Sequence, residues 1–384
     1  MSNDTVSRLI DLVRSVYRTD DFVPLHAPTL GAIEKSWVCE AIDSSFVSTA
    51  GKFVGQFESC VANFAGCENA VSTVNGTAAL HACLFHAGVS QDNLVITQSM
   101  TFVATCNAIH HLGAQPVFVD IAKKTLGMCE ISLADFLDHQ CVVDDGGQCI
   151  HRGTGKLVKA IVPMHTFGHP VNISAIVEVA NRYELPVIED AAESLGSWFN
   201  GQHTGTFGRY GVMSFNGNKI VTTGGGGTVL CASEQDARDL MHLTTTAKIP
   251  HAYEFFHDKP GFNYRMPNLN AAMGLAQMSR LSGFLDSKRR LAAEYMEFFK
   301  DTEFEFFIEP ENTRSNYWLN AVVCSDFDAR EALLKRTNAI GVMTRPVWTL
   351  MHRLPTFAGA IRVDLSNSEW AESRVVNIPS SPIL

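Results

Sequence analysis

No apolar run of about eighteen residues occurs in the 384-residue chain, so no segment reads as a membrane-spanning helix. Asp4, Arg8, Asp11 and Arg14 break the amino-terminal segment where an export signal would need an uninterrupted apolar stretch, and neither export nor membrane attachment is expected. The ten cysteines, scattered singly from Cys39 to Cys324, contain no Cys-x-x-Cys pair and no Cys/His ligand spacing. They predict reduced thiols in a cytoplasmic protein rather than a disulfide framework or a structural zinc site. His165 and His169 stand close together but lack a third ligand at matching spacing, so no metal is assigned. Positive charge is also short: 30 Lys and Arg against 40 Asp and Glu give a formal net charge of −10. Nucleic-acid affinity rests largely on basic side chains neutralising phosphates, so no nucleic-acid partner is expected. A Gly-x-Ser-x-Gly elbow and a Gly-x-x-x-x-Gly-Lys-Ser/Thr loop are both missing, which argues against an α/β-hydrolase and a P-loop nucleotidase. Internal repeats and low-complexity tracts are absent as well.

What is present is a composition that can bury a sizeable core, 46% hydrophobic and 18% charged, over a length that predicts two structural units. Val6, Leu9, Ile10, Val13, Val16 and Tyr17 recur at helical spacing and predict an amphipathic first helix used for packing or for contact with a second copy. Beyond it, short apolar runs alternate with helical patterns. Strands are predicted near 69–74, 93–97, 116–120, 158–163 and 185–190, and helices near 78–87, 103–110 and 173–183. This alternation predicts an α/β fold with a parallel, doubly wound sheet whose ligands lie at the carboxyl ends of its strands. Turn formers from Asp144 to Lys156 predict a hairpin excursion. After Met266 the pattern changes to helices near 269–281 and 288–300, a strand near 317–324 and a helix near 329–339. The division is therefore placed there, with the first helix and a large domain in 1–266 and a smaller α+β domain in 267–384.

The chemistry concentrates around Lys219, in Ser214-Phe215-Asn216-Gly217-Asn218-Lys219, which follows Asp190 by 29 residues and runs into Thr222-Thr223-Gly224-Gly225-Gly226-Gly227. A lysine flanked by small and polar residues can reach an aldehyde and be held there, while an upstream acid meets the far end of a cofactor ring. The pattern points to a pyridoxal 5'-phosphate Schiff-base site and to aminotransfer. Asn75-Gly76-Thr77-Ala78 follows a predicted strand and opens a helix, so its N–H groups and the Thr77 hydroxyl could receive a phosphate. An ordinary strand-to-helix turn capped by Thr77 fits the same residues. Asp190 ends an apolar strand, where a carboxylate stays ionised only with a charged or strongly hydrogen-bonding partner, such as a protonated pyridine nitrogen. Capping of a helix at Ala191, with Glu193 completing a capping box, is the alternative. Phe102 lies past a strand end where an aromatic could stack on a planar ring, or simply fill the core. Ser214 could add a hydroxyl to the phosphate cup. The four glycines allow either close approach of backbone to ligand or a flexible turn.

Together, Asn75-Gly76-Thr77, Thr101 to Thr105, Glu189 to Glu193, Ser214 to Lys219 and Gly261-Phe262-Asn263-Tyr264-Arg265-Met266 resemble the nucleotide-sugar aminotransferases of the DegT/DnrJ/StrS family over nearly the whole chain. The resemblance implies a fold-type I pyridoxal-phosphate enzyme, a homodimer with active sites at the subunit interface. In it Lys219 is the Schiff-base lysine, Asp190 the pyridine partner, Glu193 the group near the ring oxygen and Phe102 the stacking aromatic. Gly76, Thr77, Ala78 and Ser214 match phosphate-binding positions, and Asn263 reaches across from the second subunit. Phe22 to Pro28, Thr344 to Trp348 and Met351 to Pro355 are similar to one branch, the aminotransferases of legionaminic-acid-type pathways. That branch implies amination at C4 of a nucleotide-linked 2-acetamido-2,6-dideoxy-4-keto-hexose, with glutamate leaving as 2-oxoglutarate and pyridoxamine 5'-phosphate carrying the amino group between substrates. Candidate substrate contacts are Ser48, Thr49, His165, Arg265, Arg345, Trp348 and His352, although packing accounts for Trp348 equally well. Ser45-Phe46 stands where Gly-Trp is expected before Val47-Ser48, a departure on the substrate side. The alternatives are amination of a different keto-sugar (a 3-keto sugar, or one of the GDP-perosamine type), a sugar dehydratase, which in this family carries histidine in place of Lys219, and a cofactor-binding regulator without turnover.

Overall fold

The computed structural model describes residues 4–383. Seven strands build the central sheet: β1 (Asn69–Thr73), β2 (Leu94–Gln98), β3 (Gln115–Val119), β4 (Val158–Val162), β5 (Ile188–Asp190), β6 (Tyr210–Ser214) and β7 (Gly227–Cys231). The parallel set β3-β2-β4 joins the set β5-β6-β7-β1 through bridges from Ile161 to Val187 and from Met164 to Asp190. The sheet is mostly parallel, as expected, with β7 running antiparallel to both β6 and β1. Because β7 runs backwards, its first residue, Gly227, lies opposite Thr73 at the carboxyl ends of the other strands.

Side chains alternate across a strand, so each face collects its own core. Val95 and Ile188 pack with α4 (Gly76–His86), α5 (Val103–His111) and α8 (Glu234–Thr244), whereas Leu94, Ile96 and Val187 pack with α6 (Glu130–Gln140) and α7 (Ile173–Arg182). A further core joins α3 (Lys52–Ala65) and α9 (Asn268–Met278) to Met213, Phe215 and Leu230. Helix α9 follows residue 266 in sequence yet packs on the large sheet. Helix α1 (Thr5–Tyr17) precedes it yet buries Val6, Leu9 and Val13 among Leu291, Tyr295 and Phe299 of α10 (Leu281–Phe299) and Leu333 of α11 (Phe327–Ala339). A four-stranded antiparallel sheet, Glu305–Phe306, Asn320–Val323, Val375–Ile378 and Arg345–Pro346 in that order, lies beside them.

The predicted hairpin pairs Cys141–Val143 with Cys149–His151. It leads into Leu157, whose carbonyl accepts from Leu94 at the start of β2, and Lys156 reaches Asp92 and Gln115. The excursion thus sits at the amino edge of the sheet, away from the strand ends that carry the candidate site.

Candidate active site

The carboxyl edge of the sheet gathers the pieces. Asn75, past β1, caps α4 by accepting the Ala78 N–H at 2.8 Å, so the cap is Asn75 and not Thr77. This leaves the Gly76 and Thr77 N–H groups at the open first turn, where the helix dipole favours an anion. Ser214, ending β6, stands against that turn: a Cβ on Gly76 would lie 3.2 Å from Ser214 Cβ and 3.5 Å from its Oγ. A Cβ on Gly227 would lie 2.6 Å from the Asn75 carbonyl oxygen and 2.8 Å from the Gly76 nitrogen, so only glycine lets β7 approach the turn so closely. Gly224, at φ 79°, sits in the left-handed region. Nor is the glycine run a loose turn, since Phe215 donates to Gly226 at 2.8 Å, Thr223 donates to Phe215 at 2.9 Å, and Asn270 of α9 donates to Thr223 and Gly225.

That tied loop carries Lys219, whose side chain is 13% exposed. Its Nζ lies 3.3 Å from Glu193 Oε1 and 4.0 Å from the centroid of the Trp318 ring. Glu193 also accepts the Phe167 N–H at 2.9 Å, yet burial outweighs both favourable partners and pushes its carboxyl up to about 7. Asp190 is buried and accepts from Thr105 Oγ1 at 2.6 Å and from the Ala192 N–H at 3.2 Å. Burial raises its pKa, against the Thr105 and Ala192 hydrogen bonds and the Lys219 charge. No helix begins at Ala191, and Glu193 turns to Phe167 and Lys219, so the capping-box alternative is excluded. Among the described residues no basic side chain pairs directly with Asp190, which leaves a buried carboxylate suited to a cationic N–H. Donors at a helix start, a lysine and this carboxylate fit the phosphate, aldehyde and ring nitrogen of pyridoxal phosphate.

The remaining candidates divide. Phe102 is 48% exposed beside α5, with its ring centroid 6.3 Å from that of Trp348, which itself packs 5.1 Å from Phe167. His352 bonds Ser99 Oγ at 2.8 Å through Nδ1, placing it past the end of β2, where burial first and nearby arginines second lower its pKa. Ser48 and Thr49 are exposed in a loop held by Asn268, whose N–H donates to the Ser48 carbonyl and whose side chain donates to the Phe46 carbonyl. Asn263 is exposed and bridges Thr245.

Two of the substrate-side candidates are buried. His165 is fully buried with both nitrogens engaged, Nε2 at 2.9 Å from Glu189 and Nδ1 accepting the Val171 N–H, so it faces inward behind Asp190. Glu189 in turn accepts from the Gly205, Phe207 and Gly208 N–H groups. Arg265 is buried and committed to Glu58 at 2.6 Å and the Ser72 carbonyl at 3.0 Å. Arg345 is exposed on the small sheet and donates to Asn338 and Thr344.

Sequence reasoning missed Thr105, Phe167, Asn316 and Trp318. Thr105 meets Asp190 only across 85 residues of chain, so nothing in Thr101 to Thr105 marks its partner. Phe167, at φ 57° before Gly168 at φ 96°, shows its unusual backbone only in three dimensions. Asn316 and Trp318 lie about a hundred residues beyond Lys219, and nothing local marks them.

Comparison with known proteins matches residues 28–384 to the DegT/DnrJ/EryC1/StrS aminotransferase family. The chain is 33% identical over 368 residues to the GDP-perosamine synthase of Escherichia coli O157:H7, covering 94% of each protein. It is 31% identical over 365 residues to that of Vibrio cholerae, again covering 94% of each. Among solved structures, the aminotransferase TlmJ from Streptoalloteichus hindustanus superposes with a TM-score of 0.85 at 26% identity, covering 94% of this chain and 93% of that one. With that match spanning both the sheet and the lysine loop, the chain belongs to the DegT/DnrJ/EryC1/StrS aminotransferase family and is a pyridoxal-phosphate-dependent sugar aminotransferase.

Proposed function

We propose that the protein moves an amino group from L-glutamate to C4 of a nucleotide-linked 4-keto-6-deoxy sugar, giving a 4-amino sugar for surface glycan or nonulosonic acid synthesis. The observation that carries the reading is the buried set of Lys219, Glu193 and Asp190 at the strand ends beside the open first turn of α4. When bound, pyridoxal phosphate supplies an aldehyde that accepts the amino group and a ring that withdraws electrons from the reacting carbon. Asp190 would hold the ring nitrogen protonated, and the Gly76 and Thr77 N–H groups with the Ser214 hydroxyl would hold the phosphate. Phe102 would cover one face of the ring. Once free, the Lys219 amine would carry the proton between the two carbons that exchange the amino group, with the Glu193 carboxyl beside it accepting or returning a proton. We assign Ser48, Thr49, Trp348 and His352 to the substrate side, and Asn263 to the site of a second copy in a homodimer.

Two sugars compete within this reading. The segments 344–348 and 351–355 support a 2-acetamido-2,6-dideoxy-4-keto-hexose of the legionaminic type. The GDP-perosamine synthases of E. coli and V. cholerae, similar over 94% of the chain, support a guanosine-diphosphate sugar instead. Protein loaded with pyridoxamine phosphate, mixed in turn with nucleotide-linked 4-keto and 3-keto sugars, separates them. The sugar that restores the aldehyde form of the cofactor is the acceptor. Restoration by 3-keto sugars alone would overturn C4 amination.

A further inference from the structure

A lysine that bonds the cofactor must also stay in place when that bond is open, although four flexible carbons let its amine wander. One side chain addresses both ends of the problem. The Trp318 ring centroid lies 4.0 Å from Lys219 Nζ, and the Trp318 indole N–H donates at 2.8 Å to the carbonyl of Asn218, the residue before the lysine. Trp318 is itself fixed at the backbone. Its N–H donates to Asn316 Oδ1 at 2.8 Å, and the Asn316 amide donates to the Glu193 and Leu195 carbonyls at 2.8 and 2.9 Å. Its carbonyl accepts from Lys288 Nζ at 3.0 Å. Lys288 is fully buried on α10, has no carboxylate partner among the described residues, and spends its other contact on the Ser380 carbonyl. Burial holds the Lys288 pKa well below the usual lysine range, and its amine donates to two carbonyls, one of them that of the residue beneath the reactive amine.

We propose that Trp318 is a positioning residue for Lys219: its ring seats the unbonded amine facing Glu193, and its indole N–H fixes the Asn218–Lys219 turn, with Lys288 and Asn316 locking the tryptophan backbone. The proposal rests on Lys219 as the cofactor lysine. The titratable groups around that amine are Glu193 at 3.3 Å, Asp190, and the buried His26 and Lys288.

The test compares wild type, Trp318→Phe and Trp318→Leu, each first shown to fold by circular dichroism and thermal melting. Cofactor-free protein is reductively methylated with 13C-formaldehyde, and the Lys219 signal, assigned by its loss in Lys219→Arg, is followed against pH. Loss of the ring in the leucine variant should lower the titration midpoint by about one pH unit, whereas phenylalanine should leave it nearly unmoved. Loss of the indole N–H should slow the bonding of added pyridoxal phosphate about fivefold in both variants. In the loaded enzyme kcat should fall while KM for the amino donor holds. A leucine variant that folds and titrates as wild type overturns the ring's role. If leucine fails to fold, a phenylalanine variant bonding cofactor at the wild-type rate overturns the loop's role. Wild-type protein whose added cofactor bonds some other lysine overturns both this proposal and the assignment beneath it.

Discussion

Glu193 is held in a place that costs the empty protein stability. Its carboxyl is buried and pushed up to about 7 from an ordinary value of 4.5, because burial outweighs the Lys219 charge and the Phe167 N–H. Between those two values the folded protein binds a proton that the unfolded chain has released. Stability from this group is therefore complete below about pH 4.5 and declines as the pH rises through about 7. A difference of roughly 2.5 units at 1.36 kcal/mol each amounts to about 3 kcal/mol above that window. Glu193→Gln keeps the shape and the acceptor for Phe167 while removing the charge. At about pH 8 the cofactor-free variant should exceed wild type by up to about 3 kcal/mol, and the gap should close toward pH 4.5. Urea unfolding across that range, at one protein concentration in case subunits associate, measures the gap directly. Parallel stability curves for the two proteins would refute the reasoning. A variant more stable yet catalytically weaker would show a carboxylate kept for chemistry at the expense of folding.

Asp190→Asn leaves a cationic ring nitrogen without its charge partner, a loss of about 3 to 5 kcal/mol for a buried pair. At 1.36 kcal/mol per decade, kcat should drop about 10²- to 10⁴-fold with a smaller change in cofactor affinity, and a kcat within about threefold of wild type would reject Asp190 as the ring partner. Lys219→Ala should release the cofactor on dialysis and abolish the absorbance of the lysine-bound form; retention of that absorbance would contradict the assignment. Gly227→Ala puts a Cβ 2.6 Å from the Asn75 carbonyl oxygen and must push the α4 turn aside. Cofactor affinity, read by fluorescence titration, should weaken about tenfold, equivalent to losing one charge-assisted hydrogen bond.

Much of this was legible in the chain. Strands near 69–74, 93–97 and 158–163 appear as β1, β2 and β4, because apolar residues bounded by turn formers leave few other options. Lys219, Asp190 and Glu193 meet because each sits at a strand end or just past one, and strand ends of such a sheet converge on one edge. The strands β6 and β7 were harder to read. Tyr210–Ser214 and Gly227–Cys231 mix glycine and polar residues with apolar ones, and the reversal of β7 leaves no local mark. His165 and Arg265 are polar residues whose sequence neighbourhood suggests a ligand, and both are buried against carboxylates. Their partners, Glu189 across a strand boundary and Glu58 on α3, appear only after folding.

The reversal of β7 is also what makes the lysine loop stiff. Adjacent antiparallel strands need no crossover, so residues 215–226 close on themselves at the same sheet edge through Phe215, Thr223 and Gly226. A parallel β7 would have required the chain to cross back over a face of the sheet and would have carried Gly227 to the opposite edge, away from Asn75. The hairpin therefore does two things with one change of direction: it anchors Lys219 at both ends of a short loop, and it supplies the glycine that lets the phosphate-facing turn of α4 sit against the sheet. The Asn218 carbonyl completes the frame from a third direction by accepting the Trp318 indole. With the loop tied at its neck and near its tip, the freedom left to Lys219 is that of its own side chain, as expected for an amine that alternates between bonding a cofactor and moving a proton.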